Sequence, residues 1–303
     1  MGVKRINNIN YTVKIFAEKK LKEKVVELVQ CSRLTWKNIV YYCKTDKGEY
    51  AIKIYKENNN AFIRSNVEFN LYKTLYQINI SVPKVYYKGK FEKGFVLIYE
   101  WIKGSSLKDM VKNSGIVKNM NEVQSLFNEY EIIWNLRLEN NVLELLKSNR
   151  LENFPNPSMI YTRTNVKQKD LFFKFRRIKN IEILENFYNE LKNRIKINNN
   201  IINSDISLHE VIFKENNNFL IDLESFTIGD INNDLAGIFY SLSNSILDNN
   251  DEIEHLKNVI KKNKYFNMDC FIFYLIERVL CANYLDKINE EEIKFYIKFI
   301  FKK

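Results

Sequence analysis

The hydrophobic period of this chain changes near residue 100, and the change restricts it to folds that join a sheet to a set of helices. Upstream, Ile39-Val40-Tyr41-Tyr42-Cys43 and Glu49-Tyr50-Ala51-Ile52-Lys53-Ile54-Tyr55 flank the turn Thr45-Asp46-Lys47-Gly48. β-Branched and aromatic side chains pack well on a pleated surface, and an Asp/Gly turn tolerates a tight reversal, so the stretch predicts a hairpin. Between Ile63 and Tyr76 the spacing of Val67, Leu71 and Leu75 predicts an amphipathic helix with Glu68 beside its apolar stripe. Val82 to Tyr87 and Phe95 to Tyr99 read as two more strands, with Lys88-Gly89-Lys90 as part of their connection.

After Tyr99, three/four spacing takes over. Val123, Leu126, Phe127, Tyr130, Trp134 and Leu138 form one helical series and Ile181, Leu184, Leu191 and Ile195 another. Asp234 stands where it can cap a helix carrying Leu235, Ile238, Phe239 and Leu242 inward, and two further helices are expected near 268–286 and 289–301. The expected class is α+β. A small antiparallel β lobe with one helix covers 1–100, a boundary lies at 101–104, and a larger helical lobe covers 105–303.

At 303 residues and 46% hydrophobic content the chain can bury a full core. Its four cysteines, Cys31, Cys43, Cys270 and Cys281, form no Cys-x-x-Cys pair, which argues against a zinc site or a disulfide framework and for a reducing cytoplasm. With only His209 and His255, a histidine-rich metal centre or a histidine-based nucleophile relay is excluded as a leading idea. The most apolar segment, Cys270 to Leu285, is interrupted by Glu277 and Arg278, so no membrane span is expected. The net charge of +10 comes from lysines spread along a Lys-, Asn- and Ile-rich chain, and no nucleic-acid partner is expected. The local basic cluster Lys167, Lys169, Lys174, Arg176 and Arg177 reads as a solvated surface.

The chemistry is concentrated between Asn203 and Asp234. Asp205, Glu210, Asp222, Glu224, Asp230 and Asp234 are threaded through two apolar runs, Val211-Ile212-Phe213 and Phe219-Leu220-Ile221, which read as a hairpin joined by Lys214 to Asn218. One acid thus precedes the hairpin and a second leaves it. A carboxylate free to accept a proton and another free to hold a divalent cation are what phosphoryl transfer from a nucleotide requires. Lys53, with Glu68 15 residues later on the next helix, adds a cation to grip phosphates and an anion to orient it.

This order of parts resembles the aminoglycoside phosphotransferase and choline kinase group of small-molecule kinases, which share a bilobal protein-kinase-like fold. Tyr50-Ala51-Ile52-Lys53 is similar to the group's nucleotide-binding lysine strand, and Glu68 falls where its partner acid belongs. Ser81-Val82-Pro83-Lys84-Val85 resembles its short Val-Pro-x-Val strand entry. Leu97 to Gly104 looks like its hinge, where the resemblance implies that backbone groups of Glu100 and Ile102 bind adenine. Asn203-Ser204-Asp205-Ile206-Ser207-Leu208-His209-Glu210 stands where the group has His-Gly-Asp-x-x-x-x-Asn, which makes Asp205 the catalytic base. Ile221-Asp222-Leu223-Glu224, then Gly229-Asp230 and Asp234-Leu235-Ala236, is the closest likeness and implies metal binding by Asp222 and Glu224, while Glu210, at the Asn position of the preceding stretch, would complete the metal shell. Ser32 and Thr35, in a turn similar to Leu-Thr-x-x-Asn, would bind phosphate through their hydroxyls. ATP or GTP and Mg2+ are the implied cofactors, and a small hydroxylated molecule the implied partner.

Three departures define an alternative. Asn203 replaces a bracing histidine, Glu210 replaces a metal-binding asparagine, and the phosphate-covering turn has no glycine. A catalytically impaired kinase-like protein with a binding or structural role, as in spore-coat-associated relatives, would carry such changes. His209 reads as structural, and Asp230 and Asp234 as loop and helix-cap residues. Trp101, Trp134, Tyr240, Phe273, Tyr274 and Tyr284 are expected mainly in core packing, though they would suit a quaternary amine.

Overall fold

The computed structural model describes residues 2–31, 38–56, 60–153, 172–195, 198–285 and 289–301. They divide into two compact units, Met1–Lys103 with Phe219–Glu224, and Gly104–Asn218 with Ser225–Lys303.

The first unit is built on an antiparallel sheet of β1 (Val25–Gln30), β2 (Asn38–Thr45), β3 (Glu49–Tyr55), β4 (Val85–Phe91) and β5 (Gly94–Glu100), ordered β1-β2-β3-β5-β4. The β2/β3 hairpin forms as its sequence predicts, with Lys53 opposite Val40 on one side and Leu97 of β5 on the other. β3 is therefore interior, and its alternation sorts side chains to two faces. Tyr50, Ile52 and Ile54 join Val13 and Ala17 of α1 (Gly2–Leu21) in one apolar cluster. Ala51, Lys53 and Tyr55 point to the other face, where α2 (Ala61–Gln77) lays down Val67, Leu71, Tyr72 and Leu75. The sheet thus has a helix on each face, where the sequence suggested one helix only. The charges of α1 conceal an apolar stripe of which Val13, Phe16 and Ala17 are the part that packs.

Lys88-Gly89-Lys90 is not a connection but the middle of β4, with Gly89 opposite Val96, and the reversal falls at Glu92-Lys93. β4 is an edge strand, and lysine is a common edge residue because it discourages pairing with another chain. A polar Lys-Gly-Lys triplet is therefore compatible with a strand there.

The second unit contains β6 (Ser105–Ser106), α3 (Leu107–Ser114), α4 (Met120–Trp134), α5 (Asn140–Asn153), α6 (Ile181–Arg194), β7 (Asn200–Asn203) and β8 (Val211–Lys214). After β9 (Asn217–Leu220) come β10 (Phe226–Gly229), α7 (Ile231–Ser243), α8 (Asn250–Lys261), α9 (Met268–Leu285) and α10 (Glu290–Phe301). The β8/β9 reversal is tighter than the expected five-residue turn. Glu215 and Asn216 both take positive φ, 50° and 64°, as a two-residue hairpin turn demands. α7 is the central helix, buried along nearly its whole circumference and packed against α9. Its N-cap is Asp230, whose side chain accepts the Asn232 N–H at 2.8 Å. Asp234, expected as the cap, lies one turn inside because Ile231-Asn232-Asn233 is already helical. Among the described residues no helix is long and apolar enough to cross a membrane.

Glu277 of α9 is fully enclosed and accepts a 2.6 Å hydrogen bond from the Tyr188 hydroxyl of α6. Burial pushes its carboxyl up to about 8, against the pull of the Tyr188 hydrogen bond. The folded state therefore keeps a proton that the unfolded chain, titrating near 4.5, gives up. Stability should fall as pH rises from about 5 to about 8, by up to about 1.4 kcal/mol per pH unit from this group. Glu277→Gln keeps an acceptor for Tyr188 and removes the titration. Denaturant unfolding at pH 5, 6.5 and 8 should show a shallower decline for the variant, which becomes the more stable protein at pH 8.

Candidate functional site

Lys53 is the centre of a charge cluster in the first unit. The pleat sends it to the α2 face of the sheet, where the helix period brings Glu68 to meet it. Its Nζ lies 2.6 Å from Glu68 Oε2, 2.6 Å from Asp222 Oδ1 and 3.2 Å from Glu224 Oε2. The Tyr55 hydroxyl donates to the same Glu68 oxygen. Burial opposes the charge on Lys53, but Asp222, Glu224 and Glu68 outweigh it and hold the ammonium protonated well above its ordinary range. Burial likewise pushes Glu68 up while Lys53 pulls it down.

Backbone N–H groups of the Phe219–Glu224 segment also tie it to this unit. Leu220 N–H donates to Ser81 O at 3.0 Å, and Asp222 N–H donates to the Tyr72 hydroxyl at 3.0 Å. Asp222 sits at φ 58°, in the left-handed region that Asp tolerates better than most residues at a cost of about 1 kcal/mol. Its side chain is 38% exposed, against 11% for Glu224 and 0% for Glu68.

The donor chemistry fits a hard divalent cation. One oxygen from each of Glu68, Asp222 and Glu224 lies within 4.8 Å of the others, and Mg2+ takes carboxylate oxygens readily while keeping several waters. Asp222 is the most exposed of the three.

Asp205 and Glu210 belong to the second unit, on the turn after β7. Asn203 ends β7 opposite Phe226 of β10, and its N–H donates to Asp234 Oδ2 at 3.0 Å. Trp134 Nε1 donates to the same oxygen at 2.9 Å. Asn203 Nδ2 reaches the Tyr130 hydroxyl at 3.3 Å while its Oδ1 accepts the Asp205 N–H at 3.3 Å. The amide therefore both donates and accepts where the resemblance has histidine. Ser204 O accepts from Arg278 Nη2 at 3.1 Å, and Leu208 N–H donates to Ser241 Oγ of α7 at 3.2 Å. Gly237 lets α7 approach the turn: a Cβ there would lie 2.2 Å from Ile206 Cγ2. Asp205 is half-buried, as is Glu210, whose N–H closes a short helical turn onto Ser207 O at 2.9 Å.

The other predicted residues fall as follows. Glu100, the last residue of β5, donates its N–H to Lys84 O at 2.9 Å, and Trp101 N–H donates to Glu49 O at 3.1 Å, so the expected adenine-binding stretch begins where β5 ends. Ser32 and Thr35 lie outside the described residues. Trp134, Phe273 and Tyr274 are core side chains, and Tyr240 donates to Glu292 at 2.7 Å. His209 is exposed, and Arg176 of the basic cluster pairs with Glu182 and Glu185. Sequence reasoning missed Arg64, which binds Glu224, and Tyr55 and Tyr72, which bind Glu68 and the Asp222 backbone; Asn38, the Asn of the Leu-Thr-x-x-Asn turn, also binds Glu224, a role the turn alone does not assign. Arg64 had a signal, since it lies one helical turn before Glu68.

No protein-family model and no curated protein matches this chain in sequence. Solved structures do match it. Spectinomycin phosphotransferase APH(9)-Ia, in complex with ADP and spectinomycin, superposes at TM-score 0.61 and 13% identity over 95% of this chain and 93% of its own. Choline kinase LicA from Streptococcus pneumoniae does so at 0.58 and 17% identity, over 96% and 97%. This chain has the protein-kinase-like fold of those phosphotransferases. APH(2'')-IIa, in a ternary complex with streptomycin and ATP, extends the match at 0.58 and 14% identity, over 95% and 94%. The kinase-like fold expected from the lysine strand and the Ile-Asp-x-Glu hairpin is thus the fold observed, spread over nearly the whole chain.

Proposed function

We propose that this chain is an ATP-dependent kinase of a small hydroxylated molecule. The observation that carries the reading is the Lys53 cluster: a buried lysine oriented by a helix glutamate and set 2.6 Å from the aspartate of an Ile-Asp-x-Glu segment. Solved proteins of the same fold bind ADP, ATP, spectinomycin and streptomycin. ATP or GTP is accordingly the proposed donor, and an aminoglycoside, a choline-like alcohol or a sugar the proposed acceptor.

In this mechanism Lys53, fixed by Glu68, binds the α- and β-phosphates. Asp205 orients the acceptor hydroxyl and takes its proton as the new acceptor O–P bond forms and the bond between the γ-phosphorus and the β-γ bridging oxygen breaks, releasing the nucleoside diphosphate. A divalent cation held by Asp222 would supply charge neutralisation on the phosphates. Alignment and electrostatics carry the catalysis, with no covalent enzyme intermediate. The Glu100 carbonyl and Ile102 N–H serve the base, and Ser32 and Thr35 the phosphates.

A second reading, an impaired kinase-like binding or structural protein, is motivated by Glu210 in place of an asparagine. A thermal-shift titration separates the two. For the enzyme, ATP with Mg2+ should stabilise the protein by about 2–3 kcal/mol at a hundredfold excess over its Kd, more than ATP with EDTA, and Asp222→Asn should erase the Mg2+-dependent part. A flat response in every condition favours the structural role. ATP consumption screened over aminoglycosides, choline, ethanolamine, amino sugars and homoserine then identifies the acceptor.

A further inference from the structure

The two carboxylates of Ile221-Asp222-Leu223-Glu224 stand one residue apart, yet their surroundings differ. Glu224 Oε1 lies 3.2 Å from Arg64 Nη1, and its Oε2 accepts from Asn38 Nδ2 at 2.6 Å and lies 3.2 Å from Lys53 Nζ. Arg64 Nη1 also donates to Asn38 Oδ1 at 3.3 Å. Arg64, Asn38 and Glu224 therefore close a triangle drawn from α2, the first residue of β2 and the turn beyond β9. Arg64 is 3% and Asn38 8% exposed.

We propose that Arg64 is a positioning residue that, with Asn38, withholds Glu224 from the divalent cation and leaves Asp222 as the carboxylate of this segment that takes it. The inference deepens the kinase reading and rests on it only for the presence of a cation at Asp222. A cation that took Glu224 would have to displace a guanidinium or an amide donor. It would also bring two positive charges beside Arg64 and Lys53 in a shielded site, where like-charge repulsion is poorly screened. Asp222 also lies 2.6 Å from Lys53 Nζ, but its side chain is 38% exposed against 11% for Glu224, so water screens the repulsion there and a cation can approach it from solvent. Because Arg64 and Glu68 are one turn apart on α2, a single helix sets both the orientation of Lys53 and the retention of Glu224.

Mn2+ binding to the nucleotide-free full chain, read as loss of the free Mn2+ signal in electron paramagnetic resonance, tests this without turnover. Asp222→Asn should weaken binding at least about tenfold, whereas Glu224→Gln should change it less than about threefold. Arg64→Gln should tighten binding about tenfold by releasing Glu224, the gain should vanish in Arg64→Gln with Glu224→Gln, and Arg64→Lys should restore wild-type behaviour. Melting curves identify the folded variants; if Arg64→Gln does not fold, the Arg64→Lys and Glu224→Gln results decide. The proposal is overturned if Glu224→Gln loses as much Mn2+ affinity as Asp222→Asn, or if folded Arg64→Gln shows no gain. It is equally overturned if Asp222→Asn leaves binding unchanged or the wild type binds no Mn2+. Those last outcomes leave the ATP-stabilisation test of the kinase reading to be judged on its own.

Discussion

Asp205→Asn is expected to lower turnover by about three orders of magnitude while MgATP still raises the melting temperature of the variant. A positioned general base contributes about 10²–10⁴-fold, and an amide of the same shape can hold the acceptor hydroxyl but cannot take its proton. The turn that presents Asp205 is clamped through Asn203 N–H to Asp234, Ser204 O to Arg278 and Leu208 N–H to Ser241. None of those bonds uses the Asp205 carboxyl, so the backbone should keep its course. The measurements are steady-state phosphotransfer with the acceptor found by screening, and a thermal-shift titration of the variant with MgATP. Wild-type turnover in the variant would eliminate Asp205 from the reaction. Loss of the MgATP shift together with turnover would move it from catalysis to nucleotide binding.

Lys53→Met should be the most damaging change in the first unit. It removes the only cation within 2.6 Å of Glu68 among the described residues and leaves a fully enclosed carboxyl with Tyr55 as its remaining partner. Breaking one side of a buried ion pair costs about 3–5 kcal/mol, because the charge left behind is neither solvated nor compensated. Denaturant unfolding should report that loss. Adding Glu68→Gln should recover the part of the stability lost at Glu68, the most deeply buried of the three acids, but not the part lost at Asp222 and Glu224, and should not recover stabilisation by MgATP. A Lys53→Met protein as stable as wild type would mean that the lysine does not hold the cluster together.

The elements that sequence reasoning located are those whose information is local. The β2/β3 hairpin, the α2 period and the Ile221-Asp222-Leu223-Glu224 succession each show within about fifteen residues, and together they place Lys53, Glu68 and Asp222 in one cluster. What stayed hidden depends on partners distant in the chain. Asn38 and Arg64 become functional only because Glu224, more than 150 residues later, arrives between them. The charges of α1 blur its apolar stripe in the sequence, although Val13 and Ala17 are fully buried beneath the sheet. Lys88-Gly89-Lys90 carries turn-like residues, and only its pairing with β5 makes it strand. The choice of Asp230 over Asp234 as the α7 cap turned on where the helix began, a boundary that one turn of Asn and Ile leaves ambiguous.

The assignment of Phe219–Glu224 to the unit otherwise made of Met1–Lys103 bears on synthesis. As the chain leaves the ribosome, the five-stranded sheet can assemble early, but Lys53 must wait for Gly104–Asn218 to be translated before two of its three acidic neighbours exist. Until then, Glu68 is the one of those three acids already made. A truncated product ending at the unit boundary would share that imbalance permanently, so expression of residues 1–103 in isolation should give a poorly folding, aggregation-prone fragment.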